Sequence, residues 1–191
     1  MTDVLVLHSV YGCRPAERAI AVRLRGLGHR VVVPDLFDGR TAATVDEGFA
    51  IHDAVGWPLI LERAAAAAAD MPPETVLAGV SMGAGVAATL WERRPAAAGI
   101  LLLHGVGPLP EAPRPGTPLQ LHLAEPDDYE DEGFVRAWLA TATGRGVSVE
   151  AFRYPGAGHY FLDASLPDHD AAAAALAGER VVALLARLDG A

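Results

Sequence analysis

Short runs of consecutive apolar residues alternate along this chain with longer segments in which Ala and Leu recur at helical spacing. Six runs read as strands: VLVLHS (4–9), RVVVPDL (30–36), TVLAGV (75–80), GILLLHG (99–105), PLQLHLA (118–124) and VSVEAFRYP (147–155). The first lacks clean polar alternation, which predicts a strand buried on both faces. Between the strands, residues 15–27, 57–70, 83–94, 130–143 and 170–188 predict helices. The first of these has Pro15 at its start and Gly28 past its end, 57–70 is stopped by Pro72-Pro73, and 83–94 ends before Pro95. The Ala runs at 64–69 and 171–175 are helix filler, since Ala is the strongest helix former. Strand then helix, repeated, predicts a single α/β domain over residues 1–191, with a doubly wound, mostly parallel sheet flanked by helices. One connection is odd. GPLPEAPRPGTP (107–118) joins two strands expected to be parallel, yet it has no helical pattern and is about as short as such a crossover can be.

Composition narrows what such a domain can do. The chain has 191 residues, 51% of them hydrophobic, enough for a real core and too apolar for disorder. A net charge of −9 and the absence of a basic stripe argue against a nucleic-acid partner. All 15 basic residues are Arg, so Schiff-base, pyridoxal and phosphate-loop lysine chemistry is excluded. Cys13 stands alone, which rules out an internal disulfide and a multi-cysteine metal site; it reads as a small packed residue. MTDVLVLHSV has no basic leader, and no apolar run reaches the ~18 residues of a membrane span, so a soluble cytoplasmic protein is expected.

Ligands of such sheets bind beyond the carboxyl ends of the strands. One of those ends carries LAGVSMGAGVAATL (77–90), which has two readings. Gly83-Ala84-Gly85-Val86-Ala87-Ala88 has dinucleotide-loop spacing, but its strand ends before the first glycine and no acid follows about 20 residues on. Gly83 and Gly85 are better explained as room for a helix to pack close to the sheet. Gly79-Val80-Ser81-Met82-Gly83 has the G-x-S-x-G spacing of a nucleophile elbow, in the required setting of a strand before Ser81 and a helix after it. As a mere helix N-cap, Ser81 would need no partners elsewhere. A nucleophilic serine needs a base, and the base an acid, in chain order Ser, Asp, His. His159, in a glycine-rich loop after the last strand, is the candidate base, and Asp127, just after a strand, the candidate acid, with Asp128 and Glu125 as rivals. His8 and His104 end central strands and can line the site, but precede the acid. His29 is expected at the surface, His52 in a polar connection, His122 in packing and His169 in a solvated turn. An oxyanion hole takes one N–H from Met82 and another from HSVYG (8–12), from Val10 or alternatively Tyr11.

Together these residues resemble the dienelactone hydrolase family of α/β-hydrolases. VLVLHSVYG (4–12), GHRVVVPDLFDGRT (28–41), AGVSMGAG (78–85), LHLAEPDD (121–128) and RYPGAGHYF (153–161) carry the likeness across most of the chain. The resemblance implies a hydrolase with Ser81, Asp127 and His159 as its triad. Family members that open dienelactone use a cysteine in the elbow, an acid in the first oxyanion loop and an arginine soon after the histidine. This chain has Ser81, Ser9 and no Arg in YFLDASLPDHD (160–170). A serine esterase on the same scaffold, compact and without a lid domain, is therefore the expectation.

In that expectation Ser81 cleaves an ester or lactone of a small soluble molecule through an acyl-enzyme, with no metal and no organic cofactor. Residues 36–58 and 105–117 set specificity, with Tyr11, Phe37, Arg40, Trp57 and Tyr160 as substrate-binding candidates. Arg40 meets either an anionic substrate or Asp35 or Asp38. Two other readings use the same residues: a scaffold that binds without turnover, and acyl transfer to an acceptor other than water.

Overall fold

A computed structural model describes residues 1–190. The strands are β1 (Asp3–Leu7), β2 (Arg30–Val32), β3 (Val76–Val80), β4 (Ile100–Leu103), β5 (Pro118–Glu125) and β6 (Ser148–Pro155). The helices are α1 (Pro15–Gly26), α2 (Val45–Val55), α3 (Trp57–Ala69), α4 (Met82–Arg93), α5 (Glu132–Gly144) and α6 (Ala171–Asp189). The sheet order is β2-β1-β3-β4-β5-β6 and every pair is parallel, so the sheet is wholly rather than mostly parallel. From β1 the chain first steps outward to β2, then returns to place β3 on the other side of β1. That reversal opens a crevice above the ends of β1 and β3.

Successive strand residues face opposite sides, and both sides are apolar. Leu5 and Leu7 of β1 pack with α3, α4 and α5 residues such as Ile60, Leu90 and Trp138. Val4 and Val6 pack with Ala21 and Leu24 of α1 and Val181 and Leu185 of α6. No helix among the described residues is long and apolar enough to cross a membrane.

Three local expectations change. The strand expected over 30–36 keeps only Arg30–Val32. Pro34 has no N–H for a ladder, and Leu36 N–H turns away to His8 Nε2, 2.9 Å distant. A helix, α2, occupies a segment expected to be irregular. Its signature is the capping-box spacing of Thr44 and Glu47: Glu47 N–H donates to Thr44 Oγ1 (3.2 Å), while the Glu47 side chain accepts from Ala43 N–H (2.8 Å), one residue before the cap. His29 is buried rather than exposed. The helix-free crossover between β4 and β5 is present, and side chains satisfy its carbonyls. Trp138 Nε1 donates to Gly107 O (2.7 Å) and Arg145 Nη1 to Leu109 O (3.0 Å) and Pro110 O (2.6 Å).

Candidate active site

β3 delivers Ser81 to the crevice in a sharp turn, with φ +51° and ψ −111°. That left-handed backbone is costly for a residue with a side chain, of order 1–3 kcal/mol. The glycines on either side make the turn possible. A Cβ on Gly79 would collide with the Gly83 carbonyl, and one on Gly83 with the Leu7 carbonyl of β1. Gly85 is different: a Cβ there would meet only the Trp57 ring at 3.6 Å, so it is not what brings α4 close to the sheet. Ser81 makes no cap bond to α4. Its hydroxyl lies 3.0 Å from His159 Nε2 and 3.2 Å from Tyr160 Oη.

His159, nearly buried, has its other ring nitrogen 2.7 Å from Asp127 Oδ1. The same oxygen accepts Tyr129 N–H at 3.0 Å. Burial opposes charge on Asp127, but the His159 hydrogen bond, its charge and backbone N–H groups prevail and hold the carboxyl below its usual value. Asp127, not Asp128 or Glu125, thus holds the ring, and the Nδ1–H tautomer leaves Nε2 free to accept from Ser81.

The first turn after β1 faces this chain of hydrogen bonds. Tyr11 N–H donates to Ser9 Oγ at 3.3 Å, while among the described residues the N–H groups of Val10 and Met82 find no acceptor. Gly48 of α2 supports the turn from behind, where a Cβ would stand 2.7 Å from Val10 O. Tyr11 packs edge-on to Tyr160, ring centroids 5.0 Å apart. Arg14 lies over Tyr11 and pairs with Asp163 at 3.5 Å, so its charge is already matched.

The remaining specificity candidates divide. Tyr160 touches the nucleophile. Trp57, half-buried at the start of α3, reaches the first turn of α4. Phe37 is fully buried, edge-on to His8, and cannot meet a substrate. Its neighbour Asp35 accepts Phe37 N–H (2.9 Å) and Gly39 N–H (2.5 Å), which rolls the chain over and drives the Phe37 ring inward. Arg40 pairs with neither Asp35 nor Asp38. Its Nε donates to Phe37 O at 3.1 Å, and Asp38 lies 3.9 Å from Arg63.

Three polar groups around the site had escaped the sequence reading or been underused by it. Glu17, buried on α1, accepts from Ser9 Oγ (3.1 Å), Ser9 N–H (3.3 Å) and Arg14 N–H (3.1 Å). Burial raises its pKa against those donors. It places a carboxylate behind the first oxyanion turn, and its spacing from Ser9 gave no signal because α1 brings it back. Glu130 accepts Val106 N–H at 3.3 Å, and burial raises its pKa too. His104 sits beneath the site with φ +61° and its ring 5.7 Å from that of His159. Both its nitrogens lack partners among the described residues, and burial first, then His159 and His122, push its pKa well down. It remains neutral beside His159. His8, by contrast, is spent on structure, with Nδ1 on Ser9 O (2.8 Å) and Nε2 on Leu36 N–H.

The sequence profile of the dienelactone hydrolase family matches residues 1–188. Among solved structures, the chain is similar to a dienelactone hydrolase-like promiscuous phosphotriesterase, P91, from metagenomic libraries. That match has a TM-score of 0.81 at 19% identity, covering 98% of this chain and 87% of that one. A dienelactone hydrolase from Anabaena variabilis matches with a TM-score of 0.59 at 22% identity, over 94% and 84% of the two chains. The esterase PE8 matches with a TM-score of 0.60 at 16% identity, over 94% and 91%. At these identities the likeness shows a shared fold. No curated protein matches.

Proposed function

The chain belongs to the dienelactone hydrolase family, and on that premise we propose that it is a serine hydrolase of small esters or lactones. The observation that carries this reading is the continuous Ser81–His159–Asp127 chain of hydrogen bonds, 3.0 and 2.7 Å, ending on a serine held in a strained turn and withdrawn from helix capping.

The reaction follows from those contacts. Ser81 Oγ attacks the carbonyl carbon while His159 Nε2 takes its proton. Asp127 holds the imidazole by Nδ1 and stabilises the imidazolium that results. The free N–H groups of Val10 and Met82 hold the oxygen as it becomes negative, aided by the positive end of α4. His159 returns the proton to the leaving alcohol. Water then attacks the acyl-enzyme by the same route and frees the acid and Ser81. The residues present ask for no cofactor in any of these steps. The matched charge of Arg14 and the absence of Arg from residues 160–170, just after His159, favour uncharged acyl groups over dienelactone, whose carboxylate needs a cationic partner.

A fluorophosphonate probe with intact-mass readout tests the assignment without a choice of substrate. One adduct per chain is expected, mapped to Ser81 and absent in His159→Ala. A folded protein that takes no adduct and cleaves no 4-nitrophenyl ester would overturn the reading and leave a binding scaffold in its place.

A further inference from the structure

Tyr160 has more to do than shape a pocket. Its hydroxyl is 3.2 Å from Ser81 Oγ, and the direction of that bond follows from proton bookkeeping. Asp127 is a carboxylate, so His159 donates to it from Nδ1, and in the neutral form that serves as the base the ring accepts at Nε2. Ser81 has one proton and gives it to Nε2. Tyr160 must therefore be the donor to Ser81 Oγ. It stays able to donate, because burial pushes its pKa up to about 12.

The phenol is also held in place. Its ring stands edge-on to Tyr11 (5.0 Å, 79°) and to His159 (4.5 Å, 86°), and its backbone N–H donates to Asp168 Oδ2 at 3.1 Å. The residue is 5% exposed. It packs with Val10, Tyr11 and Ala42, and Met82 lies against the same cluster. These are the two segments whose N–H groups are free.

A donor that kept its bond to Oγ throughout would work against the reaction, because attack needs an Oγ lone pair. A donor that passes to a neighbouring oxygen as charge develops there would assist it. Once Oγ bonds to the carbonyl carbon, the carbonyl oxygen shares that carbon and comes within the reach of a group already bonded to Oγ. We propose that Tyr160 is a catalytic residue, a third oxyanion donor whose hydroxyl shifts its hydrogen bond from Ser81 Oγ to the substrate carbonyl oxygen during attack. No proton leaves the phenol; the bond changes acceptor only. The inference rests on the serine-hydrolase reading above.

Tyr160→Phe tests it, with wild type assayed in parallel on a series of acetate esters from 4-nitrophenyl to ethyl. The substitution keeps the ring and removes the donor, and an unchanged unfolding midpoint shows that the packing survives. The expected result is a loss of about 100- to 1,000-fold in kcat/KM. The loss should be the same for every leaving group and leave KM unaltered, because the oxyanion is common to all the esters. A loss that grows with the basicity of the leaving alcohol would place the phenol on the leaving oxygen and overturn the proposal. So would an unchanged or faster Tyr160→Phe enzyme, which would make the resting bond structural or inhibitory. A wild type that neither takes the fluorophosphonate nor turns over any ester fails at the earlier step, and the proposal fails with it.

Discussion

Two regions near the carboxyl ends of the strands could each be mistaken for the working part of this molecule. One is the turn at Ser81, which is strained and closely packed, with its hydroxyl, His159 and Asp127 joined in one chain of hydrogen bonds. The other is a groove of about 580 Å³ between α1 and α6, lined by Ala16, Ala19, Leu101, Leu103, Ala174 and Val181 among others. None of its lining residues belongs to the Ser81–His159–Asp127 chain. The groove exists because small residues face each other where larger ones would have closed the gap. The volume of the groove goes with its Ala-rich helices, while the proposed chemistry sits where backbone strain, close glycine contacts and the Ser81–His159–Asp127 hydrogen bonds converge.

The sharpest way to break that contrast is to remove the serine. Ser81→Ala is expected to abolish probe labelling and to lower ester turnover by about 10⁴- to 10⁶-fold. Ser81→Gly should be equally inactive yet melt higher, by up to about 1 kcal/mol, because glycine accepts φ +51° without penalty. Thermal melts of both variants separate the two claims. If Ser81→Gly were less stable than wild type, the turn would not be storing strain. Next in size is Asp127→Asn. It keeps the shape but lets the ring adopt the wrong tautomer, and kcat should fall about 10⁴-fold with little change in fold. A variant within tenfold of wild type would mean that His159 is oriented by something other than Asp127.

Much of this contrast could be read from the sequence on the side of the chemistry and very little on the side of the groove. G-x-S-x-G announces itself because its glycines answer a steric demand that is local in sequence: Gly79 and Gly83 meet each other and the next strand. The strands were legible as apolar runs, and a mostly parallel sheet followed from strand–helix alternation, but the order of the strands across it needed the coordinates. Asp127 was legible as a position after a strand, but its preference over Asp128 needed coordinates. Phe37 misled because an aromatic in a polar loop looks like a ligand contact, and only the Asp35-capped turn shows that it points inward. α2 was missed because only Gly48 among its residues is buried and Phe49 is half exposed, so its apolar period is weak. The Thr44–Glu47 capping-box spacing was the available signal. Glu17 and Tyr160 owe their roles to contacts across the fold, with Ser9 and Ser81, that no local spacing encodes.

A smaller effect concerns Glu17, the buried acid behind the oxyanion turn. Burial raises its folded pKa above the ordinary glutamate value, so the folded state holds its proton more tightly than the unfolded chain does. That contribution to stability is complete below about pH 4.5 and is lost as pH rises through the folded value. Glu17→Gln should therefore flatten this decline in urea melts taken from pH 4 to 8. A decline of unchanged slope in the variant would assign it to another group, with Glu130, also raised by burial, the next to test.

The smallest effect is expected from the groove itself, and it is the most informative about the comparison. Ala19→Leu and Ala174→Leu each add branched apolar bulk to opposite walls of the same gap. Part of each new side chain should be buried, worth less than about 1 kcal/mol because the groove is open to solvent. Ester kcat/KM should stay within about twofold of wild type, since neither position touches Ser81, His159 or Asp127. The segment Leu162–Ser165 links the two regions, since it lines the groove and follows His159 by three residues. If filling the gap lowered kcat/KM tenfold without lowering the melting temperature, that segment would be passing the displacement to His159. The groove would then have to be counted as part of the machinery rather than as spare volume beside it.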